Sequence, residues 1–174
     1  QLRICGLSRE ISKMRQLAGR LMSQQEPTMA MEWLLDNARM VEARAAAVGR
    51  EKSERLPAHG GVPRLLTLMH ELVVHSDARI SEERLMRAVR AFDEVQGLKM
   101  HELWKIPTAL SLELCAAFLS VSRRVVRAAG QRRDADEWVQ AILSGKAPDM
   151  KSMPREEAFF ERALHLLHEQ EMPE

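Results

Sequence analysis

The chain has 174 residues, of which 45% are apolar and 29% charged, a composition that excludes a disordered segment and suits one folded domain with a sizeable core. Lys plus Arg number 26 and Asp plus Glu 25, so a formal charge of +1 gives no bulk attraction to nucleic acid or to an anionic membrane. The longest uncharged run in the most apolar stretch, residues 114–122, is far short of the ~20 residues needed to cross a bilayer.

Residues 2–25 carry Leu7, Ile11, Met14, Leu17, Ala18, Leu21 and Met22 as a one-sided helical stripe, with Gly6 weakening the start and Pro27 stopping it. Thr28 suits the N-cap of a second helix, to about Arg50, with Trp33, Leu34, Met40, Val41, Ala45 and Val48 facing inward and Asn37 on the same face. The run from Leu56 to Pro63 is the clearest loop. Its Gly60-Gly61 pair lacks both the preceding strand and the following Gly-Lys-Ser/Thr of a phosphate loop, so it reads as a connector. Pro63 opens a third helix with Leu65, Leu66, Met69, Leu72 and Val73, ending near His75-Ser76-Asp77. Ser81 caps a fourth, with Glu82 and Glu83 in its first turn, a stripe of Leu85, Ala88, Val89, Phe92 and Val95, and Gly97 at its end.

Residues 107–129 are the predicted centre. Ile106, Leu110, Leu114, Phe118, Val121 and Val125 make one apolar face; Leu112, Cys115, Leu119 and Val126 make a second. Only a narrow polar strip is left, at Glu113, Ser120 and Arg124. A helix apolar almost all round is a buried one that others must wrap. Pro107 fits its first turn, after a short helix over residues 103–106. Gly130 then separates it from a short helix through Trp138, Val139, Ile142 and Leu143. After a loop with Gly145, Pro148 and Pro154 comes a last helix that buries Phe159, Phe160, Ala163, Leu164 and Leu167. No segment alternates in the strand period. The expectation is an all-α, single-domain multi-helix bundle of residues 1–174 around a central buried helix, about 107–129.

Candidate chemistry is sparse. His70-Glu71-Leu72-Val73-Val74-His75 nearly matches the zinc-protease pattern. Its spacing of five, instead of four, turns the second imidazole away from the first. Glu161, His165 and His168 are better placed for a metal, yet a charged face is what any surface helix shows. His75, Ser76 and Asp77 hold triad residue types next to one another, where they cannot form a triad. Arg123, Arg124, Arg127, Arg132 and Arg133 form a basic patch that Asp134, Asp136 and Glu137 offset. Trp33, Trp104 and Trp138 sit on apolar stripes and read as core residues rather than sugar platforms. Cys5 and Cys115 stand far apart in the chain, so no disulfide framework is expected and a reducing compartment is the default. The residues alone describe a helical scaffold with no catalytic, cofactor-binding or metal residues to name.

Six stretches, in order and spacing, resemble the N-terminal helical region of the cyclic β-1,2-glucan synthases. They are Glu32-Trp33-Leu34-Leu35-Asp36-Asn37, Leu56-Pro57, Val62-Pro63-Arg64, the run from Glu71 to Arg79, Val95-Gln96-Gly97-Leu98, and the run from Glu102 to Pro107. The helix from Ala158 to Gln170 resembles the segment that follows, so residues 28–174 carry the resemblance and residues 1–27 add an N-terminal helix. Family members usually carry Gly where Ala78 stands, and differ also at residues 38–40, 97 and 99–101. The resemblance implies a fragment of a very large bacterial inner-membrane glycosyltransferase that builds cyclic glucan from UDP-glucose. This piece would be a non-catalytic region on the cytoplasmic face, without a membrane span. Its partners would be other domains of the same polypeptide and the β-glucan chain, not nucleic acid. The family's catalytic residues lie in other domains, so none carries over.

Overall fold

The computed structural model describes residues 6–51, 56–146 and 156–171, with residues 170 and 171 by backbone alone; Leu2, Cys5, Pro148 and Pro154 lie outside them. Among the described residues, seven helices and one two-stranded hairpin follow in the order α1 (Leu7–Met22), α2 (Met29–Gly49), β1 (Ala58–His59), β2 (Val62–Pro63), α3 (Arg64–His75), α4 (Glu82–Gln96), α5 (Met100–Trp104), α6 (Ile106–Leu143) and α7 (Glu157–Glu171). The all-α expectation holds, with one small correction at the predicted loop. Gly60 and Gly61 both take positive φ, +57° and +81°, the two left-handed residues that a type I′ turn requires. They close a hairpin in which Ala58 faces Pro63 and His59 faces Val62.

The helix ends obey local rules. Thr28 Oγ1 accepts the Met31 amide at 3.3 Å, and Ser81 Oγ accepts the Arg84 amide at 3.3 Å. Gly97 closes α4 at φ +54°. After α3 the chain instead uses two non-glycine residues in the left-handed region, Asp77 at +49° and Ala78 at +58°. The Ala78 amide returns to Val73 O at 2.9 Å, so the turn covers carbonyls that the helix leaves without partners.

The central helix is longer than expected. α6 runs on through Gly130 to Leu143 without a break. Glycine inside a helix costs only ~1 kcal/mol against alanine. Gly130 is not in the left-handed conformation that would turn the chain, and the ion pair of Arg133 with Glu137, one turn apart at 3.5 Å, supports the helix just beyond it. Within residues 107–129 the buried side chains are Ala109, Cys115, Phe118, Leu119, Ser122 and Ala129. Only Pro107, Ala116, Ser120, Arg123, Arg124 and Arg127 are open to solvent. Glu113 leaves the expected polar strip because it is drawn onto His70 at 3.0 Å.

The residues divide into two compact units, one of Gln1–Ser12 with Asn37–Val121 and the other of Lys13–Asp36 with Ser122–Glu174. In the first, Leu65, Leu66 and Met69 of α3, Val89 of α4 and Ala109 of α6 form the core, with Leu85, Leu98, Leu103 and Ile106 against it. Arg44 of α2 donates to Ser111 Oγ at 2.7 and 3.1 Å, and Thr108 donates to Glu51 at 2.7 Å. In the second, Leu21, Met31 and Ala129 form one cluster. Ala135, Val139, Phe159 and Ala163 form another, with Trp138 edge-on to Phe159 at 5.9 Å.

Several residues expected inside are outside. Trp33 is 46% exposed and Met40 67%, because the covered stripe of α2 is Met31, Leu34, Ala38, Ala45 and Val48, and these two stand beside it. Trp104, at the end of one-turn α5, is 75% exposed. Val95, Leu143, Phe160 and Leu164 also face solvent. On α7 the covered side is set by Phe159 and Ala163, so their sequence neighbours Phe160 and Leu164 point away.

Candidate functional site

The expected chemical residues separate as their spacings dictate. His70 Nδ1 meets Glu113 Oε2 at 3.0 Å, while His75 Nε2 meets Glu71 Oε2 at 3.1 Å. The two imidazoles thus serve different partners. Ser76 donates its hydroxyl to Leu72 O at 2.6 Å, a helix-end bond that leaves no triad geometry. Among the described residues no three His, Cys, Asp or Glu side chains gather as a metal site. His165 pairs with Glu169 at 3.4 Å, and His168 is exposed. Cys115 is buried near Val41 O, and burial pushes its thiol above the usual range.

Two polar constellations stand out instead. The first, in the second unit, is a cleft of about 450 Å³. The link between α1 and α2 supplies Gln25, Glu26 and Thr28; α6 supplies Arg132 and Asp136; α7 supplies Glu161, Arg162 and His165. Two ion pairs lie in its wall. Arg162 Nε donates to Asp136 at 2.7 Å, and Arg132 lies 3.9 Å from Glu161. Of the three residues weighed and set aside as a metal site, Glu161 and His165 line this cleft and His168 does not. The buried Gln25 Oε1 in this wall has no hydrogen-bond partner, and with two ion pairs beside it the cleft suits a neutral polar ligand better than an ion.

The second, in the first unit, is an ion pair that spacing along single helices does not reveal. Glu102 is fully buried in the first turn of α5. Arg64, the first residue of α3, donates Nε to its Oε1 at 2.9 Å and a terminal nitrogen to its Oε2 at 2.6 Å. The Lys99 amide adds a third bond to Oε2 at 3.0 Å. The Arg64 hydrogen bond holds the Glu102 carboxyl below the usual range against the opposing effect of burial. Arg64 also donates to Gln96 O at 2.9 Å and Gly97 O at 2.8 Å, and its guanidinium lies 5.9 Å from the centre of the Phe92 ring. One planar fork therefore fastens the end of α4 and the start of α5 to the head of α3. Both members fall in stretches that carried the family resemblance, and that was the available signal.

The basic patch is partly consumed by its own neighbours. Arg133 bonds Asp134 at 2.7 Å and approaches Glu137 at 3.5 Å; its ordinary pKa is raised first by the Asp134 hydrogen bond. Trp138 packs on Phe159 as a core residue, as expected, whereas Trp33 and Trp104 do not.

Compared with known proteins, the chain is 32% identical over 130 residues, 70% of its length, to the cyclic beta-(1,2)-glucan synthase NdvB of Rhizobium meliloti (strain 1021). It spans about 5% of the length of that protein. No family model and no solved structure matches it.

Proposed function

We propose, from the premise that this chain is related to the cyclic β-(1,2)-glucan synthases, that it is a non-catalytic helical region of a large glucan-synthase polypeptide. Its task is to position the parts that transfer glucose from UDP-glucose and process the product. The observation that carries this reading is the 32% identity over 130 residues to a synthase of which the chain spans about 5%. The side chains agree with it: the carboxylates Glu102, Glu113 and Asp136 each bond a basic side chain of another helix. No helix among the described residues is long and apolar enough to cross a membrane. In this proposal the region lies at the cytoplasmic face of a bacterial inner membrane, and the spans belong to the rest of the polypeptide.

The test is to compare a full synthase polypeptide carrying this region with one lacking it. Deletion is expected to leave UDP-glucose binding intact while glucan output falls. The isolated 174-residue chain is expected to transfer no glucose. UDP-glucose binding by the isolated chain in a calorimeter would overturn the proposal.

A second reading, that the region also holds a β-glucan chain, is favoured by two features of the second unit. Trp33 presents a half-exposed indole, and the 450 Å³ cleft presents polar groups suited to hydroxyls, the unpartnered Gln25 Oε1 among them. Titration with linear β-1,2-glucan should quench tryptophan fluorescence, and Trp33→Ala should abolish the change. No heat and no quenching would remove this reading.

A further inference from the structure

Three large apolar side chains face solvent around the junction of α4 and α5. Val95 is 81% exposed, Met100 62% and Trp104 75%. Met100 and Trp104 stand four residues apart and share one face of α5. Tryptophan is highly buried on average, so an indole this bare needs a reason. The backbone beneath is held firmly. Arg64 bonds the carbonyls of Gln96 and Gly97, Glu102 accepts the Lys99 amide, and Asp93 accepts the Leu98 amide at 2.6 Å. Apolar anchors on a fixed backbone lose little freedom when they bind, which is the arrangement of an interface hot spot.

We propose that the Met100–Trp104 face of α5 docks onto another folded domain of the same polypeptide, one that offers an apolar pocket for the Trp104 indole. The proposal rests on the reading above, that the chain is one region of a large synthase. Area separates a tethered partner from a second copy. Met100 and Trp104 together present on the order of 300 Å², whereas a stable complex of free proteins buries about 800 Å² per partner. Domains of one chain meet over roughly 600–1,500 Å², both sides counted, and a tether supplies a millimolar effective concentration. The related synthase has ample chain for such a domain, since the present residues span about 5% of it. A sugar is the poorer occupant, because the planar groups flanking this face, Arg64 and Glu102, are spent on each other.

A photo-reactive residue placed at Lys99, beside this face, in the full polypeptide tests this. The expected product is an intramolecular cross-link to a peptide outside these 174 residues, reduced at least ~10-fold by Trp104→Ser, as for a hot-spot tryptophan. A cross-link only to a second copy or to lipid, no cross-link, or one indifferent to Trp104→Ser would each overturn it. Circular dichroism of the isolated variant, expected to be unchanged, separates lost docking from lost folding. The deletion experiment reads glucan output and this one reads proximity. Normal output after deletion would sink the scaffold reading alone, while a missing cross-link would sink the docking surface alone.

Discussion

Glu102 shows how one side chain can set the acid limit of this fold. Its folded pKa is depressed, chiefly by the Arg64 hydrogen bond. A depressed carboxylate contributes stability that is present above its unfolded pKa and lost as pH falls through the folded one. The stability of the chain, followed by urea unfolding, should therefore drop on acidification below the ordinary carboxylate range, and Glu102→Gln should flatten that acid limb. Glu102→Ala, which leaves the guanidinium without its carboxylate, should cost about 3 kcal/mol at neutral pH. Ala78 offers the opposite case. It holds φ +58° after α3, a conformation that costs a residue with a Cβ roughly 1–2 kcal/mol and costs glycine almost nothing. Ala78→Gly should raise the urea midpoint, by about 1 kcal/mol in stability.

At the level of elements, helices were legible and their limits were not. The stripes of α1, α3 and α4 follow the apolar spacing except at Leu17 and Val95, which are exposed, because one-sided burial imposes the 3.6-residue period. Gly130 misled because glycine marks a helix end only when φ turns positive, and sequence alone does not say whether it does. The hairpin was hidden for a related reason: two-residue strands are too short to show alternation, and only the paired positive φ of Gly60 and Gly61 betrays them. Glycine substitutions should therefore have opposite signs. A Cβ at Gly130 meets nothing within 4 Å in an ordinary helical conformation, so Gly130→Ala should stabilise by up to ~1 kcal/mol. Gly61→Ala also meets no atom, yet it forces φ +81° on alanine and should destabilise by roughly 1 kcal/mol or more. Thermal melts of the two variants, rising for one and falling for the other, would check both.

Across the whole molecule, the near-zero charge is a matter of pairing as well as counting, and pairing between helices is not written in their spacing. Arg64 with Glu102 and Arg162 with Asp136 join residues 38 and 26 positions apart, distances along the chain at which no helical period predicts a meeting. The exposed Trp104 escaped for the same reason. An apolar stripe says which residues can be covered, while coverage depends on which neighbour arrives. The five-arginine patch makes the consequence measurable. Arg132 and Arg133 each face carboxylates, and Arg123 also has an interaction of its own; Arg124 and Arg127 stay open to solvent. Two cations can neutralise about two phosphates, giving a salt slope near −2, against roughly −4.5 if all five engaged. Fluorescence anisotropy with a labelled DNA duplex across a salt series should thus show the shallow slope, with affinity no tighter than the ~10⁻⁴–10⁻⁶ M of non-specific contact at physiological salt. A slope near −4.5 would mean that Asp134, Glu137 and Glu161 release their arginines to the phosphates, and the patch would then be a binding face instead of a set of internal pairs.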